Sequence, residues 1–220
     1  MLFSSDTLAQ QMGINAGTGA IHSEAGMAAR FFVAGGPQPD TPARRKELLT
    51  ELLLAAGHPP EEAAQGEIRY HESGQPYAAI PFEADQEPKS YPLSVSHCRA
   101  FLAMALSTQA HQRIGLDAEQ AERKPHPALR RRVSCTESAS DAAHPEQQIP
   151  TLRLWTLKEA FLKMAGSGLR VPMREVEIQP DNKASTAHLK TYTARSPAHQ
   201  ARLYSLEQNG IMLAVCLEIR

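Results

Sequence analysis

The 220-residue sequence has little cysteine: Cys98, Cys135 and Cys216 are odd in number and far apart. That excludes a C-x-x-C metal pair and a disulfide framework, and it suits a reducing cytoplasm, where the protein is expected to reside. Long hydrophobic runs are missing too. No apolar stretch approaches the ~20 residues that a membrane span needs, and the start of the chain lacks a charged region followed by an apolar one, so no signal peptide is expected. A dominant charge is also absent: the net charge of −1 argues against wholesale binding to nucleic acid or to an anionic membrane. What is present is an ordinary globular balance, 42% hydrophobic and 21% charged, long enough for one large domain or two small ones.

Residues 1–40 are the least readable part. Gly, Ala and Ser dominate Gly13–Ala29, Glu24–Phe32 is compatible with a short helix, and Gly35-Gly36-Pro37-Gln38-Pro39 reads as loop. Thr41-Pro42 then opens a helix that carries Leu48, Leu49, Leu52 and Leu53 on one face and stops at Gly57. Ile68–Tyr70 is a short strand, Ser73-Gly74-Gln75-Pro76 a turn, and Tyr91–Ser96 extended. Two apolar runs, Phe101–Ser107 and Ile114–Glu119, read as hairpin strands. Ala121–Pro150 reads as loop with room for one helix. Trp155–Ala165 is a helix ended by Gly166, and Glu175–Ile178 a strand. Arg202–Leu206 and Ile211–Ile219 flank Asn209-Gly210, the strongest short hairpin signal.

The pattern repeats weakly at half the chain length. Phe101-Leu-Ala-Met-Ala-Leu106 resembles Met212-Leu-Ala-Val-Cys-Leu217, and the helix with Lys46-Glu47 resembles the one with Lys158-Glu159. Two halves of like architecture, 41–110 and 111–220, behind an N-terminal segment 1–40, is the economical reading.

Two motifs carry chemistry. In Ile114-Gly-Leu-Asp-Ala-Glu119, strand alternation points Gly115, Asp117 and Glu119 to one face, with the two carboxylates about 7 Å apart along the strand. That arrangement suits a hard divalent cation, which takes oxygen ligands; two surface acids at a strand end is the alternative. Trp155-Thr-Leu-Lys-Glu-Ala-Phe-Leu-Lys163 presents Lys158, Glu159 and Lys163 opposite its apolar stripe. A carboxylate beside two ammonium groups fits a site that holds a metal and a phosphate together. The alternatives are a Thr156-x-x-Glu159 capping box and a Glu159–Lys163 i,i+4 pair. Gly74-Gln75-Pro76 can lie against a flat base, and Ser96-His97 can offer a hydroxyl and an imidazole to a phosphate.

In this order, G-x-P, S-H, I-G-L-D-x-E and W-T-x-K-E-A-x-x-K, the motifs resemble the signature of the 4′-phosphopantetheinyl transferase superfamily, most nearly its double-length, surfactin-synthetase-activating type. The resemblance covers roughly residues 66–178. It implies an α+β fold of two pseudo-symmetric halves, each a small antiparallel sheet packed with a long helix, forming a monomer with a pseudo-dimer inside one chain. It also implies Mg²⁺ on Asp117, Glu119 and Glu159, with coenzyme A as co-substrate. Lys163, with Lys158 in the same motif, matches the phosphate contacts. Gly74, Gln75 and Pro76 match the adenine-side turn, and Ser96 and His97 the phosphate-contacting segment. Glu137, in Ser-Cys-Thr-Glu137-Ser, matches the proposed general base; a Ser134-x-x-Glu137 capping box and a metal-bound water are the competing readings. Arg44 or Arg45 is the candidate for the 3′-phosphate.

The activity implied is transfer of the 4′-phosphopantetheine arm to a serine of an acyl or peptidyl carrier protein, releasing adenosine 3′,5′-bisphosphate. The basic stretch from Arg123-Lys124 to Arg130-Arg131-Arg132 is the expected docking surface for an acidic carrier. The sequence departs from the family pattern at Gln75, where Lys is usual, and at Ser94 and Cys98 around Ser-His. Gln75 leaves room for a coenzyme A-binding homologue without transferase activity; a Mg²⁺-dependent phosphohydrolase would use the same carboxylates.

Overall fold

The computed structural model describes residues 31–36, 39–81, 88–99, 101–135, 144–181 and 189–219. Among them the chain divides between Ile114 and Gly115 into two units.

In the first unit, strand β1 (Phe31–Gly36) precedes helices α1 (Pro42–Ala55) and α2 (Pro60–Gln65) and strands β2 (Glu67–Tyr70), β3 (Pro76–Ile80), β4 (Lys89–Cys98) and β5 (Phe101–Ser107). The sheet order is β1-β5-β4-β3-β2, antiparallel throughout. Helix α1 begins where expected. The Thr41 side chain accepts a hydrogen bond from the Arg44 amide at 3.1 Å, and Pro42 occupies a position whose amide needs no partner. Its leucines Leu48, Leu49, Leu52 and Leu53 are buried with Ile80, Leu93, Leu102, Met104 and Leu106 of the sheet.

The second unit has strand β6 (Ile114–Gln120), helix α3 (Pro127–Val133), helix α4 (Thr151–Ala165), and strands β7 (Glu177–Asp181), β8 (Leu189–Arg195), β9 (Gln200–Gln208) and β10 (Ile211–Glu218). Its sheet order is β6-β10-β9-β8-β7. Each unit therefore places its first strand beside its last, runs the other three outward in reverse chain order, and inserts its long helix after the first strand. The fold is α+β, with two pseudo-symmetric halves, each an antiparallel sheet with a long helix. Helix α4 ends at Gly166, whose φ of 68° is a left-handed conformation that side chains disfavour. Leu154, Leu157, Phe161 and Met164 of α4 pack with Ile178, Tyr192, Leu203 and Cys216. Asn209 and Gly210, with φ of 52° and 75°, close the β9–β10 hairpin opposite Gln208↔Ile211, as a type I′ turn requires.

Several expectations need correction. Phe31–Gly36 is a strand, so Gly35-Gly36 is not loop and Phe31-Phe32 is not helical; the rest of the helix expected over 24–32 lies outside the described residues. Gly35 suits that position because a Cβ there would lie 3.0 Å from the Leu102 carbonyl oxygen. Phe101–Ser107 and Ile114–Gln120 are strands but do not pair with each other, since they belong to different sheets. Helix α4 starts at Thr151, four residues ahead of Trp155. Thr156 is therefore an interior residue whose hydroxyl donates to the Leu152 carbonyl, not a cap. Strands β3 and β8 were not anticipated.

The leucine face of α1 predicts a sharp contrast within one helix. Leu49→Ala should destabilise the protein by about 2–5 kcal/mol through cavity formation, whereas Leu54→Ala, at a position 44% exposed, should stay within about 0.5 kcal/mol. Urea denaturation of the two variants measures both.

Candidate active site

Strand β6 presents Gly115, Asp117 and Glu119 on one face, and helix α4 covers that face. Glycine at 115 lets the strand approach the helix backbone. Farther along, the Lys163 ammonium donates to Asp117 Oδ1 at 2.8 Å, and the Trp155 indole N–H donates to Glu119 Oε1 at 3.2 Å. Arg123, i,i+4 from Glu119, reaches the same oxygen at 2.6 Å. The two acids are not surface residues: Asp117 is 6% exposed and the Glu119 side chain 14%.

Glu159 completes the cluster from α4. Burial pushes its carboxyl above the usual range, the negative charges of Asp117 and Glu119 push it further, and the Lys163 ammonium partly offsets them. Three carboxylates thus repel one another across the α4–β6 contact, a field that favours a cation. As placed, no three His, Cys, Asp or Glu side chains among the described residues close on a common point that could hold a metal; Asp117 turns to Lys163 and Glu119 to Trp155 and Arg123. The donor set is nevertheless all carboxylate oxygen, the chemistry that Mg²⁺ accepts, and Asp117, Glu119 and Glu159 are the residues that could hold it. The Lys163 ammonium still attracts the Glu159 carboxylate while donating a hydrogen bond to Asp117.

Lys158 does not belong to this site. It is fully buried, pairs with Glu146 Oε1 at 2.8 Å, and donates to the Val133 carbonyl, so its ammonium is not available to a phosphate. Glu146, equally buried, also accepts from the backbone amides of Cys135 at 2.9 Å and Ile178 at 2.8 Å. Burial pushes the neighbouring Cys135 thiol up to about 11, with Lys158 opposing. The sequence offers no signal for this network, because Glu146 sits in a polar stretch without periodicity. Glu137 lies outside the described residues, as does the second half of the Ser134–Glu137 capping box; Ser134 itself ends helix α3.

In the first unit, Arg45 forms a two-pronged ion pair with Asp40, both contacts 2.6 Å. It also donates to the Tyr70 hydroxyl at 3.0 Å. His97 Nδ1 lies 3.4 Å from Asp40 Oδ2, and the Asp40 carboxyl is held below its usual range, chiefly by the hydrogen bond from Arg45. Tyr70 stands opposite Pro76 in the β2–β3 ladder, and the turn between them is closed by the His71 amide donating to the Gln75 carbonyl, with Gly74 at φ 84°. Arg45, His97 and the Gly74-Gln75-Pro76 turn are thereby tied to one region through Asp40 and Tyr70, two residues that sequence reasoning overlooked. A cavity of about 360 Å³ beside Arg45 is lined also by Lys46, Gly66, Glu67, Ile68 and Tyr70. Two expected residues are placed otherwise. Arg44 bonds Glu47 at 2.9 Å and approaches Glu51 on its own helix, and Ser96 is buried on the strand face opposite to exposed His97.

Residues 113–216, which hold Asp117, Glu119, Glu159 and Lys163, match the model of the 4′-phosphopantetheinyl transferase superfamily. The second unit is thus similar to that superfamily over most of its length. Over 110 residues the chain is 32% identical to a 4′-phosphopantetheinyl transferase of Bacillus subtilis, covering 49% of this chain and 45% of that relative. The match therefore spans less than half of the relative's length.

Two outcomes follow from this geometry. Because Glu159 titrates above an ordinary carboxylate, the folded state holds its proton more tightly than the unfolded state, and stability falls as pH rises through that raised value. Without added divalent ion, Glu159→Gln should raise the melting temperature at about pH 8 and lose that gain near about pH 4, where the unfolded carboxyl is also largely protonated. For the buried pair, Lys158→Met should destabilise by about 3–5 kcal/mol by stranding the Glu146 charge, and the double variant Lys158→Met/Glu146→Gln should recover part of it; denaturant titration reads both.

Proposed function

We propose that the protein transfers the 4′-phosphopantetheine arm of coenzyme A to a serine hydroxyl of an acyl or peptidyl carrier protein. The observation that carries this reading is the Asp117–Glu119–Glu159–Lys163 cluster, built between β6 and α4 inside the segment that matches the superfamily. The double-length, surfactin-synthetase-activating type and a monomeric state belong to the same proposal.

In this reading the serine oxygen attacks the β-phosphate of coenzyme A, the pyrophosphate bond breaks, and adenosine 3′,5′-bisphosphate leaves. The protein forms no covalent bond, so positioning and charge neutralisation carry the rate. Mg²⁺, held by Asp117, Glu119 and Glu159, supplies charge neutralisation to the pyrophosphate when bound. Lys163, oriented by its bond to Asp117, offers its ammonium to the phosphates. Glu137 takes the serine proton. Arg45, His97 and the Gly74-Gln75-Pro76 turn are the proposed nucleotide-side contacts. Lys124, Arg131 and Arg132 are exposed and form the proposed docking surface for an acidic carrier. Arg130 is withdrawn from that role, because it donates at 2.6 Å to the carbonyls of Ile149 and Glu146.

Mass spectrometry after incubation with coenzyme A, Mg²⁺ and an apo carrier protein tests the reading. The expected result is a carrier heavier by one phosphopantetheine. Coenzyme A cleavage without carrier modification would make the protein a phosphohydrolase, and binding without reaction a scaffold, the outcome that Gln75 would then explain. Removing divalent ions should abolish transfer. Glu137→Gln should lower turnover by about 10²–10⁴-fold, as loss of a general base does, and Arg131→Glu/Arg132→Glu should raise KM for the carrier and flatten its salt dependence.

A further inference from the structure

At Gly115, strand β6 lies directly against the backbone of α4. A Cβ built there would lie 1.9 Å from the Ala160 carbonyl oxygen, 2.5 Å from the Met164 amide nitrogen and 2.9 Å from the Met164 Cβ. Two of these three atoms are helix backbone, so no rotamer change relieves the overlap. Non-bonded contacts relax at about 3.5–4.0 Å, so a side chain at 115 would force the helix to retreat by more than about 1 Å or to bend.

The same strand face continues through Asp117, bonded to Lys163, and Glu119, bonded to Trp155. Three successive inward positions of β6 therefore meet α4: one by absence of a side chain, two by hydrogen bonds whose lengths depend on the spacing set at the first. We propose that Gly115 is a positioning residue, whose missing Cβ sets the α4–β6 spacing at which the three carboxylates and Lys163 form one site. Its consequence for catalysis rests on the transfer reading above; the spacing itself does not. A misplacement of about 1 Å can lower a rate by about 10²-fold even when the fold survives.

The molecule carries its own reporter. Trp155 is the only tryptophan in the sequence, and its indole N–H is one of the contacts that the spacing controls. In the full-length protein, Gly115→Ala should fold, as judged by far-ultraviolet circular dichroism and a cooperative melt. Its tryptophan emission should be red-shifted and more readily quenched by acrylamide, and kcat should fall by about 10²-fold with KM for the carrier little changed. Leu116→Ala serves as the control, since it removes core volume from the same strand without adding an atom toward α4. It should lose thermal stability but keep the wild-type emission and kcat.

A folded Gly115→Ala with wild-type emission and kcat would overturn the proposal, as would Leu116→Ala reproducing the emission change. Should Gly115→Ala fail to fold, the pair Gly115→Ala/Ala160→Gly, in which the helix turn can bend aside, decides the matter. Recovery of the fold with altered emission supports positioning; recovery with wild-type emission, or no recovery, overturns it. A wild-type protein that shows no transfer, alongside a Gly115→Ala emission shift, would sink the transfer reading and leave the spacing role standing.

Discussion

A helix that lies directly against a strand, backbone to backbone, is the contact on which the second unit depends. Most helices rest on a sheet through layers of side chains, and small changes in those layers are absorbed by rotamers. Where α4 crosses β6 there is no such layer at Gly115, and the carboxylates farther along the strand reach groups on α4 without intervening side chains. Burial then raises the mutual repulsion of Asp117, Glu119 and Glu159, because charges withdrawn from water are screened less. The site is therefore tense on its own, and Lys163 and Arg123 supply the positive charge that the chain itself can bring.

Helix α4 is held from its other sides by different forces. Leu154, Leu157 and Phe161 bury apolar surface, each worth about 1.5–3 kcal/mol relative to exposure, and this attraction has no preferred rotation. Lys158 adds direction. Its ammonium is fixed by Glu146 and by the Val133 carbonyl, while the Glu146 carboxylate is itself fixed by two backbone amides. A buried pair of this kind contributes little net stability but penalises every arrangement that breaks it. Neighbouring residues of one motif thus divide the labour: Lys158 orients the helix toward the interior, and Glu159 faces the carboxylates of β6.

Much of this was legible in the sequence. Leucine spacing marked α1, Asn209-Gly210 marked the last hairpin, and the alternation in Ile114–Glu119 put Gly115, Asp117 and Glu119 on one face. Other features were illegible for identifiable reasons. Phe31–Gly36 ends in two glycines, which propensity assigns to loops, yet β5 supplies its hydrogen bonds. The apolar runs at 101–107 and 114–120 look like a hairpin because pairing partners are not written in local pattern. Lys158 looked like a surface cation because helical spacing was read as putting it opposite the apolar stripe, and only the long-range partner Glu146 makes burial tolerable. Arg45 was readable as an anion-binding candidate, but its tie to Asp40, Tyr70 and His97 joins three separate stretches of chain.

The strand order has a bearing on how the protein is made. In each unit the first strand to be synthesised lies beside the last, β1 against β5 and β6 against β10. While a ribosome is still producing α3, α4 and β7 to β9, the backbone edge of β6 has no β10 to bond. The acidic face of that strand exists as sequence long before it is held in place. Assembly of the site is thereby deferred until Ile211–Glu218 has emerged, and such non-local closure is slow relative to helix formation. A nascent chain arrested before β10 would carry Asp117, Glu119 and Glu159 and still lack the sheet that holds β6 in place.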